Sequence, residues 1–177
     1  MKFEIIEAKT YHCGQILRKL RLEHRRAIER VGANSHRELR ILFDASYIRK
    51  AWTIDGRLAA LGGVSGSILS PFGFAWVALS EEATRYPVAL LRETRRQLDE
   101  AMTTKSELAT TIIGGDDAAK RFAIFLGFHC EDEGMGRPAY SKFSRRNLAQ
   151  YLETSPDLRM PIGGSYIIQM GYHPEAL

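Results

Sequence analysis

Apolar positions change their spacing several times along the chain, and each change predicts an element. Phe3, Ile5 and Ile6, within Lys2 to Ala8, alternate enough for a first strand. From about Gly14 to Val31 the spacing turns helical. Leu17, Leu20, His24, Ile28 and Val31 step by three or four and share a face, while Arg18, Lys19, Arg25, Arg26 and Arg30 point elsewhere. Ser35 to Phe43 predicts a second helix, with Glu38 three residues after the Ser35 cap in capping-box spacing. Tyr47 to Ile54 and Arg57 to Val64 flank Asp55-Gly56, and Asp-Gly between apolar runs predicts a tight hairpin.

Phe74 to Leu79 is nearly all apolar, as a central strand covered on both faces would be. Pro87 fits a first helical turn, and Val88, Leu91, Arg95, Leu98 and Met102 then mark a helix of about sixteen residues. Leu108 to Ile113 is a β-branched strand broken by Gly114-Gly115, and Asp116 to Leu126 is a short helix closed by Gly127. Phe128 to Glu131 and Ala139 to Phe143 complete the series as two more strands. The order predicts an α/β sandwich on a mixed sheet, antiparallel first and partly parallel later.

Composition narrows the setting. The 177 residues, 45% apolar and 26% charged, suit one core that buries roughly 70% of the unfolded surface. Cys13 and Cys130 lack the paired spacing of a zinc or redox motif, so a reducing cytoplasm is the expected location. MKFEIIEAKTYHCG has acids where a signal peptide needs an apolar run, and no later segment offers eighteen apolar residues in a row. The net charge of +4 is local: residues 1–60 hold 13 Lys/Arg against 7 Asp/Glu. Ser155 to Gly164 is rich in turn residues, so residues 1–144 are read as the domain and 145–177 as a carboxy-terminal extension, including a short helix from Arg145 to Glu153. An extension too short for its own core is expected to pack on the domain, on a second copy or on a protein partner.

The element order and the stretch Asp116-Asp117-Ala118-Ala119-Lys120-Arg121-Phe122-Ala123-Ile124-Phe125-Leu126-Gly127-Phe128 resemble the GNAT superfamily of acyl-CoA-dependent N-acyltransferases, from about Phe3 to Phe143. The matching places are Asp116, Ala119, Phe122 and the closing Gly127-Phe128. The Trp-containing strand, the Arg-rich long helix, the next strand and this helix also look like the GNAT-like internal proteins of short-tailed bacteriophages. That branch would place the protein in a host cytoplasm or a virion. The superfamily resemblance implies that acetyl-CoA enters between the central strand and its parallel neighbour, with an amine as acceptor. Ala78 and Leu79 would then contact the pantetheine arm, Asp116, Ala119 and Phe122 would line the cleft, and Thr84, Arg85, Tyr86, Val88 and Ala89 would meet the phosphates at a helix start, where unpaired N–H groups and the dipole favour anions.

The sequence departs from the family at the loop and at the catalytic places. The loop pattern Arg/Gln-x-x-Gly-x-Gly/Ala is met by Ala83, Tyr86 and Val88, and Pro87 removes a donor. Ala123 stands where many members carry a proton-donating tyrosine, and Phe72 to Leu79 contains no carboxylate. Glu81, with Glu82 just past the central strand, and Tyr140 on a later strand are the substitute catalytic candidates, against readings as solvated acids and a half-buried sheet residue.

Other chemistries fit less well. Glu23 and Glu29 interleave the Arg-rich helix and no aromatic lies among its basic residues, so a solvated or protein-facing surface is favoured over nucleic-acid binding. His24, on the apolar stripe, reads as a satisfied core histidine. His12, His24 and His36 do not share a helical face at a spacing of twelve. The run His129-Cys130-Glu131-Asp132-Glu133 alternates across a strand and does not gather into a metal site. Gly62-Gly63 and Gly66 precede no Gly-Lys-Ser/Thr, so they read as close backbone packing or a bulge.

Overall fold

The computed structural model describes residues 2–30, 35–113, 116–130 and 140–146. The chain runs β1 (Phe3–Glu7), α1 (Thr10–Arg18), α2 (Leu22–Arg30), α3 (Ser35–Ala45), β2 (Ser46–Ile54), β3 (Arg57–Ser65) and β4 (Phe72–Leu79). A 3-10 turn (Glu81–Arg85) leads into α4 (Pro87–Ala101), then β5 (Glu107–Ile113), α5 (Asp117–Phe125), β6 (His129–Cys130) and β7 (Tyr140–Arg146). Seven strands form one mixed sheet in the order β1-β2-β3-β4-β5-β7-β6, with β4 and β5 parallel and the other neighbours antiparallel. The mixed α/β sandwich expected from the element order is the one observed.

Local chemistry explains most boundaries. Asp55 and Gly56 both take positive φ, 47° and 74°, as a two-residue turn matched to strand twist requires. Pro87 occupies the first helical position of α4, where no amide bond is lost. Asp116 caps α5 by accepting a hydrogen bond from the Ala119 amide at 2.9 Å. Leu61 and Trp76 meet α1 and α3 on one face of the sheet, through Ile16, Leu39 and Phe43. Val64 and Ala75 meet α4 and α5 on the other, through Leu98 and Ala123. The two indole-bearing strands leave no room beside them: a Cβ on Gly63 would lie 2.3 Å from the Ile48 carbonyl oxygen, and one on Gly62 2.9 Å from that of Trp76. The glycine pair is therefore a close-packing device, one of its two expected roles.

One expected helix is two. The periodicity from Gly14 to Val31 is interrupted at Lys19–Arg21, where the backbone pairs with the end of β4. Arg21 N–H donates to the Leu79 carbonyl at 3.0 Å and Glu81 N–H to that of Lys19 at 3.2 Å. A strand end with unmet hydrogen-bonding groups outweighs continuous helix here. Val31, Gly114-Gly115, Glu131, Ala139 and the extension from residue 147 lie outside the described residues; β7 carries the chain through Arg145 and Arg146, where a short helix was expected.

Candidate active site at the parting of β4 and β5

The two parallel strands pair only at Phe72–Glu107, Gly73–Leu108 and Phe74–Ala109. Beyond that point β4 runs on to Leu79 and β5 to Ile113 without partnering each other. Ser80 N–H donates to the Ala59 carbonyl across the β3 side at 2.9 Å. Antiparallel alternation then turns the N–H and C=O groups of Val77 and Leu79 toward the β5 side. The Leu79 carbonyl is taken by Arg21, which leaves Val77 to present a backbone edge to the gap.

A cavity of about 200 Å³ fills the mouth of the gap. Val77 and Leu79 form its floor, Ala83, Thr84, Pro87 and Leu90 one wall, Ala118, Ala119 and Phe122 of α5 the other, and Arg21 and His24 its roof. Val77, Ala119 and Phe122 also line a second, mostly apolar cavity of about 70 Å³ that continues under the sheet past Trp52 and Thr94.

The roof is held by charge. Arg21 donates through Nη2 to both carboxylate oxygens of Asp116 at 3.3 Å, joining the α1–α2 link to the start of α5. Both side chains are largely buried, at 12% and 3% exposure. His24 is 2% exposed, and among the described residues neither ring nitrogen has a hydrogen-bond partner. Burial pulls its pKa from the ordinary 6.5 down to about 4, against the pull of the nearby Asp116 carboxylate. The imidazole is therefore neutral near pH 7. A satisfied core histidine was expected; the histidine is in the core, and among the described residues its ring meets no hydrogen-bond partner.

Of the candidates drawn from the sequence, Leu79, Thr84, Ala119 and Phe122 converge on the cavity, and Asp116 supports its roof. Ala78 faces the opposite side, in the core under α1 and α3. Tyr86 packs half-buried against the α4-side core, Ala89 is half-buried, Val88 is 75% exposed, and Arg85 is exposed beside Glu82 at 3.6 Å. Glu81 accepts the Leu22 amide at 2.8 Å and lines a separate groove with Arg18, Lys19, Arg25 and Arg57. Glu82, expected to be a solvated acid, is only 15% exposed and meets Arg57 at 3.1 Å. Tyr140 opens β7 opposite Ile113, the last residue of β5. Arg21 and His24 were not among the candidates. Their one visible signal was a polar ring on an apolar helical stripe.

No sequence-family model matches the chain, and no curated protein does. Solved structures do. The PaiA N-acetyltransferase of Thermoplasma acidophilum in complex with coenzyme A superposes with a TM-score of 0.61 at 11% identity, over 83% of this chain and 100% of that one. An acetyltransferase of the GNAT family from Streptococcus pneumoniae gives 0.55 at 14% identity, over 82% and 100%. The fold is that of the GNAT acetyltransferases. The ribosomal-protein-S5-alanine acetyltransferase of Vibrio fischeri shares the GNAT fold over 83% of this chain and 94% of its own, with a TM-score of 0.57 at 11% identity. Among the described residues no group of three or more His, Cys, Asp or Glu is placed to hold a metal, and no helix is long and apolar enough to cross a membrane.

Proposed function

We propose that this protein binds acetyl-CoA in the β4–β5 gap and transfers the acetyl group to an amine. The observation that carries this reading is the backbone edge of Val77, which pairs with no β5 residue, over a lined cavity where two parallel strands part. An extended amide-bearing arm can pair with such an edge as a further strand would. When bound, acetyl-CoA supplies an activated acyl group. Val77 and Leu79 would hold the arm, and Ala119 and Phe122 would wall it from water. Thr84, Arg85 and the amides of Val88 and Ala89, which the first turn of α4 leaves without helical partners, would serve the phosphates.

A second reading rests on the turn before α4. Glu81 and Glu82 bring negative charge to the strand end, and Pro87 takes one amide from the helix start. A GNAT-shaped protein that has given up transfer, serving as a bacteriophage virion or host-interaction component through residues 145–177, would carry such a loop. Isothermal titration with acetyl-CoA and with CoA separates the two. Micromolar binding with thiol release in the presence of amines supports transfer, whereas no heat at millimolar ligand overturns it and leaves the second reading.

A further inference from the structure

The open space at the β4–β5 gap does not end in the gap. Val77, Ala119 and Phe122 line both the cavity there and the mostly apolar slot of about 70 Å³ beneath the sheet, so the two adjoin. Val77, Gly62 and Lys50 lie in register across β4, β3 and β2, a span of about 10 Å at ordinary strand spacing, and all three line the slot. Gly62, in the middle of that row, has no side chain, and the Trp52 ring stands 3.2 Å from where a Cβ would be. Thr94 and Leu98 of α4 and Ala123 of α5 form the opposite wall. At the end away from Val77, Lys50 and Gln97 are shared with a polar pocket that also holds Glu7, Arg49 and Glu100. Native interiors hold few voids larger than a water molecule, so an apolar slot that begins where the acyl arm would lie calls for an apolar occupant. We propose that the slot takes the hydrocarbon chain of the acyl group, and that the preferred donor is an acyl-CoA of about four to six acyl carbons, with acetyl-CoA a poorer one.

This rests on the transfer reading above and extends its donor. A water-sized group needs roughly 10–15 Å³ of such volume, so 70 Å³ holds about five of them, the size of a short alkyl chain and not of a fatty acyl chain. The polar end sets the same limit, because a longer chain would have to push its tip among Lys50, Gln97 and the charges beyond them. Acetyl-CoA would leave the slot empty. Each methylene moved from water into it is worth about a fourfold gain in affinity. The transfer itself is the same for any chain length: the amine nitrogen bonds to the thioester carbonyl carbon, the C–S bond breaks with its electron pair on sulfur, and the proton lost by the amine ends on the thiolate, giving amide and free CoA thiol.

The test titrates the protein calorimetrically with CoA and with acetyl-, butanoyl-, hexanoyl- and dodecanoyl-CoA. Wild type is expected to bind hexanoyl-CoA at least about tenfold more tightly than acetyl-CoA, with butanoyl-CoA between them and no further gain at dodecanoyl-CoA. In Thr94→Leu the larger side chain takes up the slot, and the ratio of hexanoyl to acetyl affinity should fall to about threefold or less. The Thr94 hydroxyl has no hydrogen-bond partner among the described residues, so this change strands no partner there. Ala123→Val fills the slot from α5 and replaces it if Thr94→Leu does not fold. Equal binding of acetyl- and hexanoyl-CoA, an affinity that keeps rising to dodecanoyl-CoA, or a preference that survives in the folded variant overturns the proposal and leaves the transfer reading standing. A wild type that binds none of these compounds overturns both.

Discussion

The β4–β5 pair has a sewn end and an open end, and a buried basic side chain sits at each. At the sewn end Lys105 is fully buried, and its ammonium donates to the carbonyls of Ser67 at 2.6 Å, Ile68 at 3.1 Å and Ser70 at 2.5 Å. It also lies 4.8 Å from the centre of the Tyr47 ring. At the open end the His24 ring is equally buried and meets no hydrogen-bond partner among the described residues. Burial lowers the pKa of both groups, but three carbonyl oxygens accept from the Lys105 ammonium, whereas among the described residues no acceptor is hydrogen-bonded to the His24 ring, and only the nearby Asp116 and Glu23 charges favour its protonation. A satisfied buried group serves the fold. An unsatisfied one costs stability and is retained where something else uses it.

Removing the satisfied group should have the larger effect. Lys105→Met keeps the stem but leaves three carbonyls of the β3–β4 loop without their donor, with an expected loss of about 2–4 kcal/mol. For a chain of this size that is a melting temperature lower by roughly 8 °C. Acetyl-CoA binding, at the other end of the strand pair, should stay within about threefold. A thermal melt unchanged by this substitution would break the contrast at its stronger side.

The unsatisfied group should reveal itself through pH. The unfolded chain takes up a proton on His24 near 6.5, whereas the folded protein resists until about pH 4. The unfolded state therefore binds more protons across that window, and stability falls as pH drops through it, by up to roughly 3 kcal/mol. Carboxylates add their own acid dependence, so the quantity to measure is the difference in unfolding free energy between wild type and His24→Leu from pH 7 to pH 4. A constant difference across that range would mean that His24 titrates normally and is not held neutral by the fold.

The same contrast shows which features could be read from the sequence. The Asp55-Gly56 turn, the α4 start at Pro87 and the Asp116 cap were legible because each is settled by a few neighbouring residues. The break between α1 and α2 was not: the helical spacing of apolar residues runs through it in the sequence, and the interruption lies where the backbone pairs with the end of β4, roughly sixty residues away in sequence. Leu79, Ala119 and Phe122, named as candidates on a resemblance carried by the α5 pattern, line the floor and one wall of the cavity. The roof was missed, because whether a histidine on an apolar stripe finds partners depends on what packs over it. No periodicity marks Lys105 either, since its cage consists of main-chain carbonyls and could be formed by almost any loop sequence.

The smallest expected effect tests the link between the roof and the ring. Asp116 has two tasks, accepting the Ala119 amide and pairing with Arg21. Asparagine retains the first, because its side-chain oxygen also caps helices, and loses the second. Asp116→Asn should therefore cost only about 1 kcal/mol, the worth of a charge-assisted bond partly replaced by a neutral one. Its sharper signature is at His24. The Asp116 carboxylate favours the protonated ring while Arg21 disfavours it, so removing the carboxylate charge leaves the arginine unopposed on that side and moves the His24 pKa further down. Imidazole titration by NMR in the two proteins measures the change directly. A pKa that holds still would show that the ion pair only ties α5 to the α1–α2 link, whereas a fall would show that the pair also tunes the ring over the cavity.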